Sequence, residues 1–225
     1  MTANPDAVLN AMRDEIDRTI SGLTLRSFEP DPIAGPMFSK ITSLFSSAYK
    51  RHGMIIERAI FESLRQCDRF VVWSEEQFCI TNTVDHIVTT ATPSKLIGTD
   101  YPYEDADANR SLQVDLLAYQ KSAKKLNSYE IKRGGGLHDA GKQRSMLRDT
   151  LCTQILLKSY GQQRGFEIHA AFSHVVFYYG RCSIPKPFAI SGDELDEHFG
   201  WPIRAAVEKV NEFYQARLFG VLAEL

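Results

Sequence analysis

Gln113-Val114-Asp115-Leu116-Leu117-Ala118-Tyr119, then a basic turn, then Ser128-Tyr129-Glu130-Ile131-Lys132: these two segments decide the fold. Both alternate as strands do. Gln113, Asp115, Leu117 and Tyr119 share one face, opposite the apolar row of Leu112, Val114, Leu116 and Ala118. In the second segment Ser128, Glu130 and Lys132 lie opposite Tyr129 and Ile131. Pairing through the six-residue turn 120–125 makes residue numbers across the ladder sum to 245, which sets Asp115 against Glu130. Opposed side chains have Cβ atoms about 4.5–5.5 Å apart, and Lys132 follows two residues on, at about 6–7 Å. Two carboxylates that close repel unless a cation lies between them. A divalent metal relieves the repulsion, and a lysine beside it completes a set of groups suited to hydrolysis.

The pattern Val114-Asp115, fourteen intervening residues, Glu130-Ile131-Lys132 resembles the PD-(D/E)xK nuclease superfamily, with valine in place of the proline. The likeness covers residues 40 to 180. It implies a restriction-endonuclease-like α/β fold, an αβββαβ core whose mixed sheet is flanked by helices, and Mg²⁺-dependent hydrolysis of DNA phosphodiesters. It implies Asp115, Glu130 and the Ile131 carbonyl as metal ligands, with Lys132 as the group that orients or deprotonates the attacking water. For a chain of this size the likeness is greatest to a type II restriction endonuclease. That implies double-stranded DNA as substrate, a homodimer, and a cognate DNA methyltransferase acting on the same site. The alternatives are a structure-specific or repair nuclease of the same fold, a non-catalytic DNA-binding relative, and an ordinary hairpin with a surface Asp, Glu and Lys.

Composition limits the rest. With 225 residues, 44% hydrophobic and 24% charged, the chain suits one sizeable globular domain. We expect residues 1–38 to form an N-terminal helix and arm, 39–180 the catalytic core, and 181–225 a C-terminal helical segment. A net charge of −2 gives no global attraction to nucleic acid, so a DNA surface must be a local patch. Cys67, Cys79, Cys152 and Cys182 show no zinc spacing, and no apolar run reaches the ~18 residues of a membrane span. A cytoplasmic protein with reduced cysteines, bound to no membrane, is the expectation.

Helices are expected at 5–22 (capped by Asn4), from Ser39 through residue 64, at 139–161 and at 202–222; residues 29–36, rich in proline, read as irregular. Strands are expected at 69–80, 83–90 and 166–180, with a polar loop at 93–110 carrying Asp100, Glu104, Asp105 and Asp107.

On the long helix Glu57 falls at the edge of the buried stripe, where the resemblance places a glutamate that joins the metal shell in many restriction enzymes. Arg133, Lys142, Arg144 and Arg148, with Lys121, Lys124 and Lys125 on the hairpin turn, make seven cations around the acidic pair, and His138 in the glycine loop is a further DNA contact. Gln154 lies in the apolar stripe of its helix and is expected to bond backbone. Gly136 to Lys142 also fits the GxxxxGK half of a phosphate-binding loop, but Gln143 stands where such a loop has Ser or Thr. Asp85 is the rival to Asp115, and the six histidines form no recognisable site.

Overall fold

The hairpin forms because β-branched and aromatic residues alternate on either side of a polar turn. In the computed structural model, which describes residues 2–24, 29–104 and 108–223, β2 (Ala108–Gln120) and β3 (Lys125–Gly134) pair antiparallel from Leu116↔Tyr129 to Gln120↔Lys125. Every pair sums to 245, the expected register. β1 (Phe70–Thr81) lies antiparallel to β2 on its other side. β4 (Ala170–Tyr179) and β5 (Ala189–Ser191) extend the sheet in parallel, giving the order β1-β2-β3-β4-β5. The protein is α/β, with a five-stranded mixed sheet flanked by helices. Asp105 and Asp107 lie outside the described residues.

The chain divides into two compact units, one of residues 67–198 and one of 1–66 with 199–225. This differs from the expected division at 39 and 180, because the long helix groups with the terminal helices rather than with the sheet. In the helical unit α1 (Pro5–Thr24) begins where the Asn4 side chain accepts the Asp6 and Ala7 amides. α2 (Gly35–Arg65) starts four residues before the expected cap. Gly35 and Pro36 enter the helix, since proline suits a first turn that has no use for its missing N–H. Ser39 is a buried helical residue whose hydroxyl accepts the Asp31 amide. α7 (Arg204–Ala223) runs antiparallel to α2, with Trp201 bonded to the Ser63 carbonyl and Tyr214 to that of Ala48.

In the sheet unit the expected strand at 83–90 is a helix, α3 (Asn82–Thr90). Its β-branched residues misled the reading. Thr81 caps it by accepting the Val84 amide, Thr89 and Thr90 turn their hydroxyls back onto the Asp85 and His86 carbonyls, and Val84 and Val88 bury one face. A single turn, α4 (Pro93–Leu96), interrupts the following loop.

α5 (Ala140–Gln163) covers the face of the sheet that carries Leu117, Tyr119, Leu126, Val175 and Phe177, and packs Met146, Leu151, Ile155 and Leu156 against it. Gln154 fastens helix to sheet. Its amide donates to the Ala171 carbonyl and its oxygen accepts the Ser173 amide, each at 2.7 Å. This is the backbone role expected of it. α6 (Leu195–Phe199) follows β5.

Candidate active site

The β2–β3 ladder stops one pair before Asp115 and Glu130. Beyond it β2 stays with β1, and β3 stays with β4 as far as Gly134↔Tyr179. At this fork the Asp115 carboxylate replaces the missing ladder bond, accepting the Ile131 amide at 2.7 Å through Oδ2. Lys132 Nζ lies 2.6 Å from Glu130 Oε1. A bulge of β2 between Val114 and Leu117 breaks the expected alternation and sets Val114 with Leu117 in the core under α5. What joins the three residues singled out by pattern is the Ile131 peptide, bonded to Asp115 and flanked by Glu130 and Lys132.

The electrostatics match that crowding. Burial holds the Asp115 carboxyl above its ordinary range; the Ile131 amide and the Lys132 charge oppose the shift, and the Glu130 charge adds to it. A cavity of about 60 Å³ opens beside the fork, lined by Val114, Tyr129, Ser128, Glu130, Asp149 and Thr150 among others. That is room for water against a carboxylate.

Among the described residues no group of three or more His, Cys, Asp and Glu side chains is gathered to hold a metal ion. The fork offers less and of a different kind: two carboxylates from neighbouring strands and the Ile131 carbonyl between the glutamate and the lysine. Mg²⁺ is held in just this way, by one or two carboxylates and retained waters rather than an all-protein cage. A buried carboxyl whose neighbour is a second carboxyl is the anionic setting that a hard cation relieves, so the donor set fits.

The expected basic ring is only half present. Lys125 opens β3 and Glu130 lies five residues along it, so the turn cations stand about 16 Å from the acidic pair. A strand carries its turn and its far end a full length apart, which a count of nearby sequence positions hides. Lys124 pairs with Glu167 at 2.5 Å, and Lys125 lies over the Phe172 ring.

The α5 cations do approach. Arg144, Arg148 and Asp149 line a cleft of about 440 Å³ together with Arg110 of β2, which sequence reasoning missed. Asp149 borders both this cleft and the cavity at Glu130. Arg110 bonds Asp149 at 2.6 Å and Asp85 at 3.3 Å, and Arg148 also pairs with Asp85. Asp85 is thus the anchor of two guanidinium groups on a helix, not a ligand on a strand. Arg144 and Lys142 are exposed. Arg133 stacks over the Tyr179 ring, 5.5 Å from guanidinium carbon to ring centre. Glu57 is half-buried on α2 and belongs to the helical unit.

The glycine loop is held from within. His138 Nδ1 lies 2.9 Å from the Ser183 hydroxyl, and its carbonyl accepts from Gln143 Nε2 at 2.6 Å. Asp139 caps α5 by accepting the Lys142 amide at 3.0 Å, a bond that also lowers its own pKa. The amide that a phosphate-binding loop would offer to phosphate is taken by a carboxylate of the chain itself.

Three aromatic residues outside the expected site also meet. Tyr129 Oη lies 2.9 Å from His198 Nε2, the His174 and His198 rings are 5.1 Å apart, and His174 Nδ1 donates to the Pro187 carbonyl at 3.1 Å. The signal was a matter of register: Tyr129 and His174 are partners across the parallel β3–β4 pair, invisible until that pairing is known. Burial, reinforced by Lys125 and Lys186 and for His174 by His198, pushes both histidines down to about 4, while Glu194 pulls His198 the other way.

The unfolded chain, with histidines near 6.5, then takes up protons between about pH 6.5 and pH 4 that the folded state refuses. Their stabilisation is complete above pH 6.5 and is lost as pH falls towards 4, on the order of 2 kcal/mol after allowance for partial exposure. Urea denaturation at stepped pH should show this slope, and His174→Gln with His198→Gln should flatten it. A double variant with the wild-type slope would remove the histidines as its source.

No protein-family model, curated protein or solved structure matches this chain. No helix among the described residues is long and apolar enough to cross a membrane.

Proposed function

We propose that this protein is a Mg²⁺-dependent endodeoxyribonuclease of restriction-endonuclease-like fold, most similar in kind to a type II restriction endonuclease. One observation carries the reading: at the fork of β2 and β3 the Asp115 carboxylate accepts the Ile131 amide, the peptide between Glu130 and Lys132, and Lys132 touches Glu130. The element order α2-β1-β2-β3-α5-β4 agrees with the αβββαβ core that the motif implies, with α3 and α4 inserted between the first two strands.

Asp115 and Glu130, with the Ile131 carbonyl, would hold Mg²⁺, which when bound supplies charge neutralisation at the scissile phosphate and acidifies water. The chain's own groups do the rest. Asp115 must shed its proton to bind a cation, and its raised pKa puts an acid limit on activity. Lys132 orients the attacking water, and its charge stabilises the phosphorane-like transition state. Gln154 keeps β4, and β3 with it, in place beneath the site. Incubation with plasmid DNA and Mg²⁺ tests the proposal. Discrete fragments would mark a sequence-specific enzyme acting on duplex DNA, random or junction-directed cuts a repair nuclease, and no cutting with intact binding a non-catalytic relative.

The cleft of Arg110, Arg144 and Arg148 is the surface we assign to the DNA backbone. Its members are unequal. Arg148 is already paired with Asp85, whereas Arg144 lies exposed at the cleft. Arg144→Ala should therefore reduce the slope of log affinity against log salt by about 1, and Arg148→Ala by less. Fluorescence anisotropy over a salt series checks this; equal slopes for wild type and Arg144→Ala would move the DNA surface elsewhere.

A further inference from the structure

Asp149 borders two places at once. With Glu130 it lines the cavity at the fork, and with Arg110, Arg144 and Arg148 it lines the cleft beyond. Between the two its carboxylate accepts from Arg110 Nη2 at 2.6 Å.

That bond is one a phosphate can replace. Arg110 has a second acceptor in Asp85, at 3.3 Å, and Asp85 is also held by Arg148. Taking Asp149 away therefore strands no guanidinium. Nor is the pair sealed from water, since 30% of the Arg110 side chain and 27% of that of Asp149 are exposed. Neither charge must cross a dry interior for the partners to change. A guanidinium presents the same fork of donors to phosphate as to carboxylate, so a phosphodiester entering the cleft competes with Asp149 on equal geometric terms.

An Asp149 released in this way is an uncompensated anion next to a cavity that already borders Glu130. Carboxylates gathered round room for water raise the affinity for a hard cation, which keeps several waters as ligands. We propose that Asp149 is a positioning residue that couples substrate to metal. With the cleft empty it neutralises Arg110; when a DNA phosphate takes Arg110, it turns to the cavity and supports, through water, the cation held by Asp115 and Glu130. This role rests on the nuclease reading and adds to it the order in which the site is completed. Because coupling is reciprocal, the metal must tighten DNA binding by the factor by which DNA tightens metal binding.

Fluorescence anisotropy of a duplex with the Lys132→Ala protein, which should bind without cutting, measures that factor. At constant ionic strength Mg²⁺ should tighten binding by about tenfold or more, and with Asp149→Asn added by about threefold or less. Without metal, Asp149→Asn should strengthen DNA binding, because Arg110 is freed. Terbium luminescence without DNA gives a second readout. Arg110→Gln should raise terbium affinity about threefold or more, since Asp149 then has no cation to satisfy, and Asp149→Asn in the same chain should cancel the gain. Equal tightening by Mg²⁺ with and without Asp149→Asn, or no gain in terbium affinity from Arg110→Gln, would overturn the coupling and leave the nuclease reading standing. A protein that binds no duplex under any of these conditions would bring down both.

Discussion

Asp115→Asn and Glu130→Ala should each lower Mg²⁺-dependent DNA cleavage by on the order of 10³-fold or more, about 4 kcal/mol of transition-state stabilisation. Asparagine is the right replacement at 115. The Asp115 carboxylate also accepts the buried Ile131 amide, and alanine would leave that N–H unpaired at a cost of about 1–3 kcal/mol. An Asp115→Ala protein that failed to cut DNA would confound folding with chemistry; Asp115→Asn keeps an acceptor oxygen and loses only the charge. Glu130→Ala frees Lys132 from its partner and should tighten DNA binding in the absence of metal, because an anion near the phosphates is removed. Lys132→Ala should bind a luminescent lanthanide as the wild type does while losing turnover. Cleavage by either carboxylate variant at the wild-type rate would show that the fork is not the active site.

Gly134→Ala should unfold or nearly unfold the sheet unit. Gly134 closes β3 at φ +79°, and a Cβ there would stand 1.8 Å from the Tyr179 carbonyl oxygen, on the strand paired with it. Backbone cannot yield as a flexible side chain does. Relief requires β3 and β4 to part at the end that carries Lys132, so the conformational cost of about 1–2 kcal/mol adds to a broken strand pair. A loss of about 4 kcal/mol or more is expected by chemical denaturation. Gly136→Ala, two residues on, has nothing within 4 Å of the added carbon and should be close to neutral. Similar melting of the two variants would refute the steric account.

The hairpin register was legible because the turn fixes it: once Gln120 stands against Lys125, each pair up to Leu116 and Tyr129 follows. The fork was not legible. Whether a ladder continues past its last apolar pair depends on what the outer strands demand, and β1 holds β2 through three irregularities that no pattern in β2 reveals. The helix at 82–90 was missed for a related reason, since isolated Val, Ile and Thr residues favour a strand and only the Thr81 cap and the back-bonding hydroxyls reverse the balance. Arg110 escaped notice because its importance comes from Asp85 and Asp149, 25 and 39 residues away. The Tyr129–His198 contact spans 69 residues and was hidden in the same way.

The parting of β2 and β3 has a cost that lies outside chemistry. An inner strand of a sheet becomes, past Tyr129, an edge strand on one side, at an opening where the Asp115 carboxylate takes the Ile131 amide in place of a neighbouring strand. Glu130, Lys132 and Arg133 stand along that opening. Buried ladders do not need charges, whereas exposed edges are kept from joining strange partners by them. The residues that we assign to catalysis thus also guard the seam, and a chain that had lost its activity would still have reason to keep them charged.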